Sequence, residues 1–431
     1  MTQSGSRKNK RVCVIGLDGV PYDLLLGLAQ SGIMPAMHRL IQSGYLLKMK
    51  ASLPEVSSVS WTSYMTGTNP GVHGIFGFTD LRENSYQIRF PNSLDVKSPT
   101  LWERLGEMGL KSIIINQPST YPARKMEGAL VAGFVAIELA KAVYPLSHLA
   151  ALEKMGYQTD IDTQKARQDR TFLWKELNST LEGGRKAFQY FWEQEWNLFE
   201  FVVTGTDRLH HYLWDAYADS GHPSHADFVD YYRKVDGLIE QIAERFQALT
   251  GGVNGLYLLS DHGFTGIVQE LYLNAWLQHA GYLMFDGSPP NRLADMAPGT
   301  RAFALDPSRI YINLKGRFPR GVVEKTEKKD LKLEISAALK QLEFDGQRVI
   351  REVFDAEEIY SGPYVGKGPD LIVLAERGFD LKGSLEMKGT FGRSDLQGMH
   401  TWDDAFFWAS KQCGPNLAIS DVAVKILEDF E

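Results

Sequence analysis

The sequence predicts an α/β fold: a mostly parallel central sheet with helices on both faces, and an inserted cap region. Three observations predict it. Short apolar runs such as VCVIGL at 12–17 are nearly continuous, as strands buried on both faces require. Amphipathic helical stretches alternate with these runs, the pattern of parallel strands joined by helices. Residues 265–395 break that alternation with Pro289-Pro290, a loop-like Pro298-Gly299 and a charged helical stretch.

The elements follow in order. Val12–Leu17 reads as a strand ended by Asp18-Gly19, and Tyr22–Gln30 as a helix. A helix is expected from about Ser58 to Thr66, stopped by Gly67. Pro99–Met108 reads as a helix and Ser112–Asn116 as a strand; 164–194 is mostly helical. The strand Phe199–Thr204, the helix Asp207–Tyr217, the helix Phe228–Leu249 and the strand Gly255–Ser260 complete the main pattern. Within the insertion, Arg309–Leu314, Val349–Val353 and Leu371–Leu374 read as strands around a helix at Glu324–Leu342. A last helix begins near Ser420 or Asp421, as a cap, and runs to Asp429. There is no internal repeat or low-complexity tract.

Composition bounds the function. The chain has 431 residues, 44% apolar and 23% charged, which is ordinary globular usage. A prior of roughly 150 residues per domain allows two or three domains. The pattern divides the chain into a flexible tail at 1–10, a core at 11–264 and 396–431, and the insertion at 265–395. A net charge of −7 counts against general nucleic-acid binding. It leaves open a phosphate-bearing substrate, because bound metals reverse the local field of an acidic protein. Cys13 and Cys413 are too few for a disulfide framework or a cysteine-rich zinc module, and Cys13 reads as a core residue. No hydrophobic signal region follows the basic N-terminus, and no stretch approaches the ~20 apolar residues of a membrane-spanning helix. A soluble cytoplasmic enzyme with no membrane partner is the expectation.

Ligands of open α/β sheets bind outside the carboxyl ends of the strands. Three strand ends here deliver carboxylates: Asp18, then Thr204 to Asp207, then Ser260-Asp261-His262. Asp207 and His211 are four apart on one predicted helix, so both side chains share a face and could share a metal. The ordinary reading of an aspartate at a helix start is a cap. Asp261 and His262 are adjacent, and both could bind metal where the backbone turns sharply, which Gly263 would permit. Ser57 lies at a helix N-terminus, where N–H groups and the dipole favour phosphate, although serine there is also the commonest cap. His400, in Gly398-Met399-His400, taken alone is a loop histidine.

Other residues have plainer readings. His73 reads as a loop anchor, and His210 points to a different helix face from His211. His222 and His225 flank a proline loop and read as solvated. Lys325, Lys328 and Lys329 read as a solvated helix face. Trp61, Trp214 and Trp402 read as core, although they lie near the motifs.

Five short motifs in this order, GLDG at 16–19, TGTNPGVHGI at 66–75, TDRLHH at 206–211, SDHG at 260–263 and GMH at 398–400, span nearly the whole chain. Together they resemble the type I phosphodiesterase and nucleotide pyrophosphatase family of the alkaline phosphatase superfamily. The resemblance implies an alkaline phosphatase-like fold and two divalent metal ions, zinc by ligand type with manganese as an alternative. One metal would be held by Asp207, His211 and His400. The other would be held by Asp18, Asp261 and His262, with Ser57 bound to it as the nucleophile. The implied reaction is hydrolysis of a small-molecule phosphate diester or monoester through a phosphoserine. A phosphotransferase or mutase using the same phosphoserine is the alternative, and a non-catalytic metal-stabilised protein is disfavoured because it has no use for a nucleophile.

The chain departs from that family at two points. The family mostly has threonine where Ser57 stands. Its phosphate-binding asparagine falls on Phe78, which cannot donate, so Thr79 or the Ser57 backbone N–H would have to serve. Ser57 is not followed by the proline and arginine that sulfatases require.

Overall fold

A computed structural model describes residues 9–287 and 292–431. Residues 1–8 of the expected tail and the Pro289-Pro290 pair lie outside the described residues. The chain forms two compact units. The first comprises 1–68, 92–264 and 400–431; the second comprises 69–91 and 265–399.

The first unit is built on an eight-stranded sheet. Its strands are β1 (Val12–Leu17), β2 (Tyr45–Met49), β3 (Ser112–Gln117), β4 (Gly128–Ala132), β5 (Val143–Tyr144), β6 (Leu198–Val203), β7 (Leu256–Leu259) and β8 (Ala405–Ala409). Their order across the sheet is β2-β8-β7-β1-β6-β3-β4-β5. The five strands from β7 to β4 run parallel, and β8 and β5 pair antiparallel at either side. Every residue of β1, β3 and β6 is buried, which is why these segments read as unbroken apolar runs rather than alternating ones. The sheet reading therefore holds. The missed strands are β2, with an exposed lysine-containing pattern, β4, β5, and β8, which the sequence offers only as an aromatic run.

Helices cover the sheet: α1 (Tyr22–Gln30), α2 (Pro35–Ser43), α3 (Ser57–Thr66), α4 (Leu101–Glu107), α5 (Arg170–Trp192), α6 (Gly205–Ala218), α7 (His225–Thr250) and α8 (Ile419–Glu428). In α5, Leu173, Leu177, Leu181, Gly184, Phe188 and Phe191 form the buried stripe at helical spacing. The expected cap of α8 is corrected: Ala418 precedes the helix, and the Asp421 carboxylate accepts from its N–H at 2.9 Å. No helix among the described residues is long and apolar enough to cross a membrane.

The second unit contains a four-stranded antiparallel sheet, in the order Ala302–Leu305, Arg309–Ile312, Leu371–Ala375, Ile350–Asp355. The helix Lys328–Lys340 buries Leu331, Ile335 and Leu339 in the same apolar cluster as Phe303 and Tyr311. Tyr86 joins that cluster, stacked on Phe318. Lys328 is not a solvated charge. It pairs with Asp370 at 2.7 Å and Glu357 at 2.8 Å, while Lys325 and Lys329 are exposed as expected.

Candidate metal centre and nucleophile

The site residues come from the carboxyl ends of three adjacent parallel strands and from two helix starts. Asp18 follows β1, Asp261 and His262 follow β7, and Asp207 and His211 lie in α6 just after β6. Ser57 opens α3, and His400 lies not in a loop but in the short strand Gly398–Thr401, which pairs with the strand Gly263–Gly266. All seven residues belong to the first unit.

The bland reading of Ser57 fails on geometry. Val56 occupies the cap position, with no side-chain capping bond, and Ser57 is the first helical residue. Its Oγ lies 3.3 Å from Asp18 Oδ1 and 3.1 Å from His262 Nε2. All ten residues of α3 are buried, including six hydroxyl-bearing residues beyond Ser57. Thr62 and Thr66 satisfy their hydroxyls on carbonyls one turn back, at 2.6 and 2.7 Å. Gly67 ends the helix at φ 65°, the left-handed turn its position requires.

Asp207 is not a cap either. Thr204 precedes α6, and the Asp207 carboxylate turns to the site. Its Oδ1 lies 3.4 Å from His211 Nε2 and 3.2 Å from His400 Nε2, and these two nitrogens are 3.0 Å apart. The helical spacing thus delivers the pair to one face as expected. His262 Nε2 lies 3.3 Å from Asp261 Oδ2 and 3.7 Å from Asp18 Oδ1. Asp18, Asp261 and His262 offer ligand atoms within 4.8 Å of one another, and so do Asp207, His262 and His400. His262 therefore stands between the two carboxylate groups, 4.0 Å from Asp207 Oδ1 as well.

The donor set fits divalent cations on its own chemistry. Asp207 Oδ1 and Asp261 Oδ2 are buried and accept no hydrogen bond. His262 Nδ1 lies 3.0 Å from the Gly263 carbonyl and His400 Nδ1 lies 2.8 Å from the Glu55 carbonyl. Carbonyls only accept, so both rings donate from Nδ1 and can turn an Nε2 lone pair to the site. Three buried carboxylates crowd one space. Burial, then repulsion from Asp261 and Asp207, pushes Asp18 well above the usual carboxylate range. Burial likewise pushes Asp261 up to about 7. Asp207 is held low despite burial, by His211, His400 and Arg208. Burial and the neighbouring His400 hold His262 well below the ordinary imidazole value, the neutral form a metal needs.

Several supporting residues carried no readable signal. Trp61 is buried as expected, yet its Nε1 donates to Asp18 Oδ2 at 3.1 Å. Thr206 Oγ1 donates to the Asp18 carbonyl at 2.6 Å, and Gly19 N–H donates to Asp261 Oδ1 at 3.0 Å. Gly263 is needed for space and not for a left-handed turn: a Cβ there would meet Asp404 Oδ1 at 2.1 Å. The left-handed glycine is Gly19, at φ 66°. His210 faces away from the cluster, bonded to the Gly19 carbonyl and Tyr232, and His73 accepts from Ile75 N–H as a loop anchor. His222 and His225 tie down their loop through Asp215 and the Ala216 carbonyl. Thr79, expected as a stand-in donor, is bonded through its hydroxyl and carbonyl to Arg309 in the second unit.

The model of a family described as type I phosphodiesterase / nucleotide pyrophosphatase matches residues 12–403. Among solved structures, phosphonoacetate hydrolase from Sinorhizobium meliloti 1021, in complex with phosphonoacetate, is similar over 98% of this chain and 96% of its own, at 14% identity and a TM-score of 0.64. An inactive murine ectonucleotide pyrophosphatase / phosphodiesterase 5 in complex with AMP is similar over 98% and 95%, at 12% identity and a TM-score of 0.57. The human protein of that name has the same identity and coverage, with a TM-score of 0.56. At such identities the likeness establishes the fold. No curated protein matches the chain in sequence.

Proposed function

The chain belongs to the type I phosphodiesterase/nucleotide pyrophosphatase family of the alkaline phosphatase superfamily, a family of metal-dependent phosphoric ester hydrolases, and on that premise we propose that it cleaves a small-molecule phosphate diester or monoester through a phosphoserine formed on Ser57. The observation that carries this reading is the Ser57 hydroxyl, freed from capping and held between Asp18 and His262.

Asp18, Asp261 and His262 would hold one divalent cation, and Asp207, His211 and His400 the other. Zinc, with manganese as the alternative, would supply Lewis acidity that lowers the pKa of a bound hydroxyl and polarises the phosphoryl group. The chain's own groups do the rest. Ser57 donates towards Asp18 Oδ1, which leaves the Oγ lone pairs free to face phosphorus. The first-turn N–H groups and dipole of α3 favour the phosphoryl oxygens. Ser57 Oγ forms a bond to phosphorus as the bond to the leaving oxygen breaks in line; the hydroxyl proton leaves along the Ser57–Asp18 hydrogen bond to solvent water, and water supplies the leaving oxygen's proton. A second water then attacks the phosphoserine, releasing phosphate or a monoester and restoring Ser57. We assign the cytoplasm as the compartment.

The test pairs metal analysis with turnover of bis-p-nitrophenyl phosphate and p-nitrophenyl phosphate. About two metals per chain are expected, with activity falling by roughly 10³-fold or more in Ser57→Ala. Preferred transfer to an added alcohol acceptor would favour a phosphotransferase. A folded protein that binds neither zinc nor manganese would overturn the reading.

A further inference from the structure

An arginine beside a phosphoryl-transfer site is ordinarily expected to bind the phosphate. Arg208 is instead committed to two carboxylates. Its Nε and Nη2 both donate to the Asp160 carboxylate, at 3.2 and 2.8 Å, and its Nη1 donates to Asp207 Oδ2 at 2.8 Å. Its guanidinium carbon sits 4.2 Å from the centroid of the Phe134 ring, so one face is covered too. The side chain is 13% exposed, and that of Asp160 is 14% exposed.

This arrangement has a consequence for Asp207. With Oδ2 occupied by Arg208, the other oxygen, Oδ1, is the one turned to His211 and His400, and it is the oxygen with no hydrogen bond. We propose that Arg208, locked by Asp160 and seated on Phe134, is a positioning residue that presents Asp207 to its metal through Oδ1 alone. The inference rests on the two-metal reading and deepens it. Asp160 acts through Arg208 and touches no member of the cluster itself.

The test is zinc affinity, measured by competition with a chromophoric chelator on the full chain. Folding is checked by circular dichroism of the metal-free proteins. In Arg208→Gln, one of the two zinc affinities is expected to fall about 10- to 100-fold, the usual cost of removing a ligand's supporting partner, with the other unchanged. Asp160→Asn, which leaves the cluster intact, is expected to fall in the same site and by less. The double variant should be no worse than Arg208→Gln, because the two act in series. Equal loss at both sites would mark a general packing defect and overturn the inference. So would wild-type affinity in a folded Arg208→Gln or, if that variant does not fold, in Asp160→Asn. Either result would leave the two-metal reading standing, whereas a wild-type protein that binds no zinc would remove both.

Discussion

At the scale of single residues, the site is organised by who takes the second oxygen of each carboxylate. Trp61 bonds Asp18 Oδ2, Gly19 N–H bonds Asp261 Oδ1, and Arg208 bonds Asp207 Oδ2. Each acid then has one oxygen left for the shared space. Trp61→Phe removes the donor and also shrinks a fully buried ring. It is expected to weaken metal binding about 10-fold, read by chelator competition, and to lower metal-free stability by about 1–3 kcal/mol through the cavity it leaves. The acids themselves were legible in the sequence because a carboxylate directly after an apolar strand falls where α/β sheets bind ligands. Trp61, Thr206 and Arg208 were not. Their role depends on bonds to residues 43, 188 and 48 positions away in the chain, and no local pattern encodes such pairings.

At the scale of elements, α3 and the β7 end show what pattern reading captures and what it misses. The strand and helix that carry Asp18, Ser57 and Asp207 were readable because burial on both faces gives continuous apolar runs, and helical spacing puts 207 and 211 together. The role of Gly263 was misread, since close approach by Asp404 and Thr401 is a tertiary fact. Gly263→Ala is expected to destabilise by about 1–3 kcal/mol, visible as a lower denaturation midpoint. Beneath α3, Glu200 of β6 is fully buried and accepts from the Tyr64 hydroxyl at 2.7 Å, while its other oxygen has no partner. Burial raises its pKa from 4.5 to about 7, partly offset by the Tyr64 bond. A raised folded-state pKa means that its stability contribution is complete below pH 4.5 and is lost as pH rises towards 7. Glu200→Gln should flatten that decline and be the more stable form at pH 8, by on the order of 1–3 kcal/mol. Chemical denaturation at pH 5 and pH 8 reads the difference, and an unchanged pH slope would contradict it.

At the scale of the whole molecule, an acidic protein of net charge −7 gathers three buried carboxylates at one end of its central sheet. Their mutual repulsion opposes folding unless cations or protons neutralise them. Bound metal should therefore raise stability by mass action, by about 2.7 kcal/mol per site at a hundredfold excess over Kd. Calorimetry with and without chelator should show a fall in Tm of several degrees on metal removal, reversed by zinc, and no shift would count against the metal centre. The division of the chain was only partly legible. The break at 264/265 shows in composition, but 69–91 groups with the second unit through contacts such as Tyr86 with Phe303 and Phe318, which no local feature of that segment announces.

The central claim is covalent, and it is tested most directly by trapping. The protein with zinc is mixed with bis-p-nitrophenyl phosphate, quenched in acid within milliseconds, digested, and analysed by mass spectrometry. Added phosphoryl mass is expected on the peptide containing Ser57, localised to Ser57 and absent in Ser57→Ala. Efficient turnover with no label at Ser57, or undiminished turnover in Ser57→Ala, would contradict it.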